Sequence, residues 1–237
     1  MTGVSQLWVY LQTTPLLGLA ATLIAWEVAV FASRVARGHV LANPMLISIV
    51  LLSSLLLLTH TPYRAYFEGG QYVQFLLGPA TVALAVPMYF NLGRIRRAAP
   101  AILPALVAGS LVAALSAMLI ARGLGASRTV VLSLAPKSVT TPIAMGIAEQ
   151  IGGSPSLAAV FVLLTGLTAV VIGPGILRFT RVRDWRARGL AAGTAGHGLA
   201  TARILLLDET AGAFGGLAIG LNGIFTAILV PFLATLF

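Results

Sequence analysis

Six stretches of the chain run for about twenty residues with almost no polar interruption, at roughly 14–33, 42–60, 72–92, 99–121, 157–177 and 213–236. A helix of that length rises about 30 Å, the thickness of a bilayer's hydrocarbon layer, so each run predicts a crossing. Two further stretches, 129–155 and 189–207, are apolar but interrupted by glycine, proline and polar residues. The first contains Ala135-Pro136-Lys137-Ser138-Val139-Thr140-Thr141-Pro142, a charge and a proline-bounded polar break where lipid would otherwise lie. Irregular backbone at that depth is tolerated only where protein or a wet cavity covers it. The pattern therefore predicts an all-α, polytopic membrane protein of about six to eight transmembrane helices with broken or re-entrant segments, held in the lipid bilayer.

Composition strengthens this reading. With 58% hydrophobic and 9% charged residues and a mean hydropathy of +0.98, the chain has more apolar surface than a soluble globule can hide. Its first run follows an uncharged start and ends at Arg34-Val35-Ala36-Arg37, without the basic region or cleavage site of a signal peptide, so it is expected to remain as a helix. The net charge of +9 resides in arginines between the hydrophobic runs, where it orients helices rather than binding nucleic acid. If 129–155 crosses, the arginines at 178–188 fall opposite Arg34, Arg37, Arg94, Arg96 and Arg97. If it enters and leaves by one face, these ten arginines share a side and Arg64, Arg122 and Arg128 lie on the other. The positive-inside rule favours re-entry, and the turn sequence Ile151-Gly152-Gly153-Ser154-Pro155-Ser156 agrees. With no cysteine, neither a disulfide nor a thiolate metal site can form.

Sliding the chain against itself by 57 residues aligns Gly78-Pro79-Ala80-Thr81-Val82 with Ala135-Pro136-Lys137-Ser138-Val139, and Gly109 with Gly166. A second step takes Gly166 to Gly223 and Pro136 to Gly193, inside Gly193-Thr194-Ala195-Gly196-His197-Gly198. Each unit would join a broken, small-residue segment to an intact helix. Such repeats, contributing discontinuous helices to a shared mid-membrane site, characterise secondary transporters. The division expected from this is 1–71 as scaffold-like helices and 72–237 as a transport core, with breaks near 78–87, 135–142 and 193–203.

At these residues the chain resembles the LrgB/CidB family of bacterial membrane proteins, which includes relatives of plant plastid glycolate/glycerate translocators. The resemblance rests on Leu77-Gly78-Pro79-Ala80-Thr81-Val82, Pro136-Lys137-Ser138-Val139-Thr140-Thr141-Pro142, Gly152-Gly153-Ser154-Pro155, Ala195-Gly196-His197-Gly198-Leu199-Ala200-Thr201-Ala202-Arg203 and Leu221-Asn222-Gly223. It implies transport of a small carboxylate substrate such as glycolate, glycerate or pyruvate across the inner membrane, beside a small LrgA/CidA-type membrane partner. It also implies an alternative, an antiholin-like regulator of murein hydrolase export and cell lysis that acts by assembly. A homo-oligomer is expected in either case.

A carboxylate needs a cation, oriented donors and an apolar wall. Lys137 supplies the first, and Ser138, Thr140 and Thr141 supply hydroxyls. Pro136 and Pro142 leave backbone groups unpaired, so that a half-helix can begin beside Pro142 with its positive end toward an anion. The competing reading has the hydroxyls bonding back to helix carbonyls and Lys137 pairing with Glu149 or Asp208. Between Gly196 and Gly198, His197 is a candidate proton carrier or a structural hydrogen-bonder, and Thr201 shares its helix face at i+4. Arg203 is a further cation or an interfacial anchor. Asn222, with Thr226 one turn on, can donate to a cavity or join helices. Gly78, Pro79 and Thr81 read as break positions. Lys137 and Ser138 are adjacent and cannot share a proton as a dyad, and neither a Gly-x-Ser-x-Gly string nor a metal-ligand cluster is present. No enzyme, cofactor or metal is expected.

Overall fold

The computed structural model describes residues 15–36, 42–76, 79 and 85–237. All regular structure among them is helical: α1 (Pro15–Val35), α2 (Pro44–Leu58), α3 (Tyr63–Phe75), α4 (Ala85–Phe90), α5 (Leu92–Gly123), α6 (Arg128–Leu134), α7 (Thr141–Gln150), α8 (Pro155–Phe179), α9 (Trp185–Leu205) and α10 (Glu209–Ala234). Four of these, α1, α5, α8 and α10, are long and apolar enough to cross a membrane, and α2 is a shorter apolar helix. The run at 72–92 is divided between the end of α3, a stretch outside the described residues, and α4.

The chain forms two compact units, Met1–Ala83 and Leu84–Phe237. In the first, α1 and α3 approach until their backbones touch. A Cβ on Gly18 would overlap the carbonyl oxygen of Tyr66, and one on Gly69 would overlap that of Pro15. Small residues are the usual currency of such crossings in lipid. Thr22 and Tyr66 hydroxyls hydrogen-bond at 2.9 Å beside this contact.

In the second unit, α5 and α10 run parallel. Arg94 donates to the Thr210 hydroxyl at one end, and Arg122 donates to the Leu236 carbonyl and stacks on Phe237 at the other. The segment after α5 does not cross. It descends as α6, turns at 135–140 and returns as α7, so that the Ser154 amide donates to the Ser133 hydroxyl at 2.7 Å. The hairpin that a re-entrant segment requires, expected from charge and from the turn sequence at 151–156, is thus the geometry observed. Helix α8 then starts at this Arg122 end and, rising about 37 Å over its 25 residues, reaches the other end.

Helix α9 is broken at His197, where φ is 41° and ψ is −138°. Its two halves reverse direction. A Cβ on Gly189 would overlap the Ala211 carbonyl oxygen and one on Gly193 that of Gly215, so the first half runs parallel to α10. Beyond the break the order inverts, since Gly215 packs on Thr201 and Gly212 on Leu205. The 189–207 stretch is therefore a second helical hairpin, and it enters from the end carrying Arg94, Arg178 and Arg188. Two units of opposite direction follow, α5 with the α6–α7 hairpin and α8 with the α9 hairpin. They are the same pairs that the 57-residue offset relates through Gly109/Gly166 and Pro136/Gly193. Opposed repeats of this kind bring two broken segments to mid-membrane.

Because the chain lacks cysteine, sidedness is directly testable. Thiols introduced by Gln150→Cys and Leu207→Cys are expected to react with an impermeant reagent from opposite faces of the membrane; reaction of both from one face would overturn the two-hairpin topology.

Candidate functional site

The first tip is built from two tight turns, with the Lys137 amide on the Leu134 carbonyl and the Val139 amide on that of Pro136, each at 3.2 Å. Pro136 is fully buried, and its missing N–H suits a point where the helix stops. These turns aim the half-buried Lys137 away from α7. Its Nζ donates to the Ala113 carbonyl on α5 at 3.1 Å and to the Ser138 hydroxyl at 3.4 Å. Neither Glu149 nor Asp208 pairs with it. Among the described residues the one ion pair joins Arg186 to Asp184, so no carboxylate neutralises this ammonium. Asp184 instead caps the start of α9 through the Arg186 amide at 2.8 Å, and the Arg186 side chain hydrogen-bonded to it holds its carboxyl below the usual range.

Lys137 and Ser138 line one end of a cavity of about 810 Å³ between α8 and both halves of α9. Its walls are mainly apolar, with Phe161, Leu164 and Ile172 from α8 and Ala191, Ala195 and Ala200 from α9. Arg178, Arg188 and Arg203 line it as well; Arg178, Arg203 and Leu207 are exposed, and so are Leu164 and Ile172, so the cavity is open at the arginine-rich end and along the α8 side. Arg188 is held there by the Val182 carbonyl at 2.9 Å and by the face of Trp185 at 4.8 Å. In the other direction Met118, Leu132, Ala135, Ile147 and Val230 pack into a buried cluster between the tip and Arg122.

The second tip has a different chemistry. His197 is buried, and its Nε2 lies 2.9 Å from the Val162 carbonyl of α8. A carbonyl only accepts, so Nε2 carries the proton. The ring fits because residue 166 is glycine, whose added Cβ would stand 2.7 Å from it. Thr201 does not share this face. The break lies on His197 itself, so i+4 spacing no longer superimposes the two, and Thr201 packs against Gly215 of α10. Thr194, Ser110 and Ser133 each donate to the carbonyl four residues back. For Thr201 that carbonyl is the one His197 carries, at the break, and its buried hydroxyl has no partner among the described residues. Thr201→Val keeps the shape and loses no bond. It is expected to leave the melting temperature in detergent unchanged or raise it, by up to about 1 kcal/mol of stability; a fall of several degrees would mean that the hydroxyl holds a water or an ion.

Of the residues singled out in the sequence, the cavity gathers Lys137, Ser138 and Arg203. Thr140 and Thr141 start α7 outside its lining, with Pro142 exposed at the first turn. Gly196 lies against Ala169 of α8, where a Cβ would come within 2.5 Å of another, and Gly198 faces open space. Pro79 is exposed, while Gly78 and Thr81 lie outside the described residues. Asn222 is buried on α10 and donates from Nδ2 to the Ser138 carbonyl at 2.9 Å and to the Thr194 carbonyl at 3.2 Å. Arg178 and Arg188 had been legible only as topological anchors.

Several apolar membrane-length helices, with two opposed broken hairpins around a cation-lined cavity, define a multi-pass α-helical membrane protein. Its family follows from comparison: the model of the LrgB-like family matches residues 22–236, and the chain belongs to that family. It is 40% identical over 195 residues to the protein named "Uncharacterized protein YwbG" of Bacillus subtilis (strain 168), covering 82% of this chain and 87% of that one. It is 31% identical over 218 residues to "Antiholin-like protein LrgB" of Bacillus cereus (strain B4264), covering 92% and 95%. No solved structure matches it.

Proposed function

We propose that this protein is a secondary transporter of small monocarboxylates of the glycolate, glycerate or pyruvate type. The observation that carries this reading is Lys137, an ammonium without a carboxylate at the inner end of a largely apolar cavity. An intramembrane cation costs roughly 2.5–3.5 kcal/mol to insert and defaults to a functional role. Its missing counter-ion is the substrate, with Ser138 as neighbouring donor and the arginines at the mouth concentrating anions before they enter. By the positive-inside rule the arginine-rich face is cytoplasmic, and the inner membrane is what the family resemblance implies. Residues 1–71 serve as scaffold, and an elevator-like movement of the 72–237 core is an analogy from its repeat pattern and broken helices. His197 would then be the coupling group if uptake is proton-driven, with Nδ1 as the atom that exchanges the proton.

A second reading is favoured by the name of the relatives at 31% identity, "Antiholin-like protein LrgB". In it the chain regulates murein hydrolase export and lysis by assembling with copies of itself and a small LrgA/CidA-type membrane protein. Vesicles containing the purified protein separate the two. Saturable uptake of labelled glycolate or pyruvate is expected from the transporter; uptake no faster than in empty vesicles would leave the regulatory reading standing.

A further inference from the structure

One side chain from outside both hairpins holds both of their tips. Asn222 sits on α10, 1% exposed. An asparagine amide has two N–H bonds, and here both go to tip carbonyls, Ser138 of the first hairpin at 2.9 Å and Thr194 of the second at 3.2 Å. The amide cannot be turned round, since a carboxamide oxygen facing two carbonyls would have nothing to accept. Its oxygen lies 2.5 Å from the Ser110 hydroxyl of α5, whose single proton is shared with the Leu106 carbonyl at 2.7 Å, and 3.5 Å from the Thr226 hydroxyl. With both donors committed, Asn222 has none left for a solute.

We infer that Asn222 is a positioning residue that couples the two hairpins: its amide ties the tips to one another, and while both bonds hold, the path from Lys137 toward the Arg122 face stays shut. The position of the closure agrees. Ser138, whose carbonyl is held, follows the residue carrying the cavity's cation, and Ala135, three residues before it, belongs to the buried cluster that seals the other side. If the first tip drops its bond, the turn at 135–139 is free to move away from α10. If the second drops its bond, the α9 hairpin is free to move along α8. One amide thus makes either movement depend on the other. The coupling rests on the hairpin geometry and on the exposed arginine-rich end, and takes from the transport reading only that the closed path is one a solute would follow.

The test uses accessibility, which needs no solute. A thiol from Ala135→Cys, buried in the sealing cluster, is expected to be inert to an impermeant reagent from either face. A thiol from Ala195→Cys, on the cavity wall, is expected to react from the arginine-rich face. Adding Asn222→Leu should raise the reaction of the Ala135→Cys thiol from the Arg122 face by about tenfold or more, the equivalent of one buried hydrogen bond, while the Ala195→Cys thiol reacts as before. Asn222→Asp preserves the shape and the acceptor for Ser110 but has no N–H for the tips, and it should act in the same direction even where the leucine variant fails to fold. Ser110→Ala leaves both tip bonds in place and should leave the Ala135→Cys thiol inert. An inert Ala135→Cys thiol in the asparagine variants, beside normal labelling at Ala195→Cys, would overturn the coupling; so would an equal rise in Ser110→Ala. Loss of uptake in Lys137→Gln bears on the solute site alone and moves none of these readings.

Discussion

Lys137→Gln is expected to cut carboxylate uptake at low substrate concentration by about one to two orders of magnitude while the protein still inserts and folds. Glutamine can keep a hydrogen bond toward the Ala113 carbonyl, but it brings no charge. Insertion should improve, because a charge at mid-depth is removed. Substrate binding should weaken by about one to two orders of magnitude, the range for a charge-assisted hydrogen bond in a desolvated site. Lys137→Arg restores the charge with a wider, planar head and should recover part of the uptake. The readout is initial uptake into vesicles across a range of substrate concentrations, normalised to inserted protein. Full uptake with an unchanged KM in Lys137→Gln would mean that the ammonium serves the fold and that another group holds the anion.

Much of this site was legible in the sequence because breaks in apolar runs are local. Pro136, Pro142 and the Gly196-His197-Gly198 triplet announce points where a helix cannot continue, and the tips lie there. Charge placement also predicted that 129–155 re-enters, since arginines report sidedness without any knowledge of packing. The Asp208–Glu209 loop carries no cation, so charge assigns it no side, and packing of α9 on α10 together with the Arg94–Thr210 bond puts it at the end of Arg94 and Arg178. What depends on the geometry across a break was not legible. His197 and Thr201 share a face only in a continuous helix, and the residue that would have linked them is the one that breaks it. Thr140 and Thr141 stand next to Lys137 in sequence, yet they fall on the far side of the turn as α7 begins. Asn222 could be read as polar in an apolar helix, but nothing along the chain shows that Ser138 and Thr194, 56 residues apart, present their carbonyls to one amide.

Gly193→Val should be the most damaging single change to the second unit. Two glycines one turn apart on α9, Gly189 and Gly193, meet Ala211 and Gly215, one turn apart on α10. This small-residue match lets the two backbones approach until any Cβ at 193 overlaps the Gly215 carbonyl oxygen and stands 2.7 Å from the Ala218 methyl. A backbone carbonyl within a helix cannot rotate aside as a side-chain end can, so the hairpin itself must retreat. The adjacent Thr194 carbonyl would move with it and leave Asn222, adding a lost buried hydrogen bond to the overpacking. Overpacking alone costs about 1–3 kcal/mol, which for a unit of this size lowers the melting temperature by about 2–10 °C. Gly146→Ala is the control, because it lies within α7 with nothing within 4 Å of an added Cβ. There the substitution should be neutral or stabilising by about 0.5–1 kcal/mol, through helix propensity. Thermal unfolding of the detergent-solubilised protein compares them directly. Equal melting temperatures for Gly193→Val and the parent chain would show that α9 does not rest on α10 through these glycines, and the reversed direction of its two halves would lose its support.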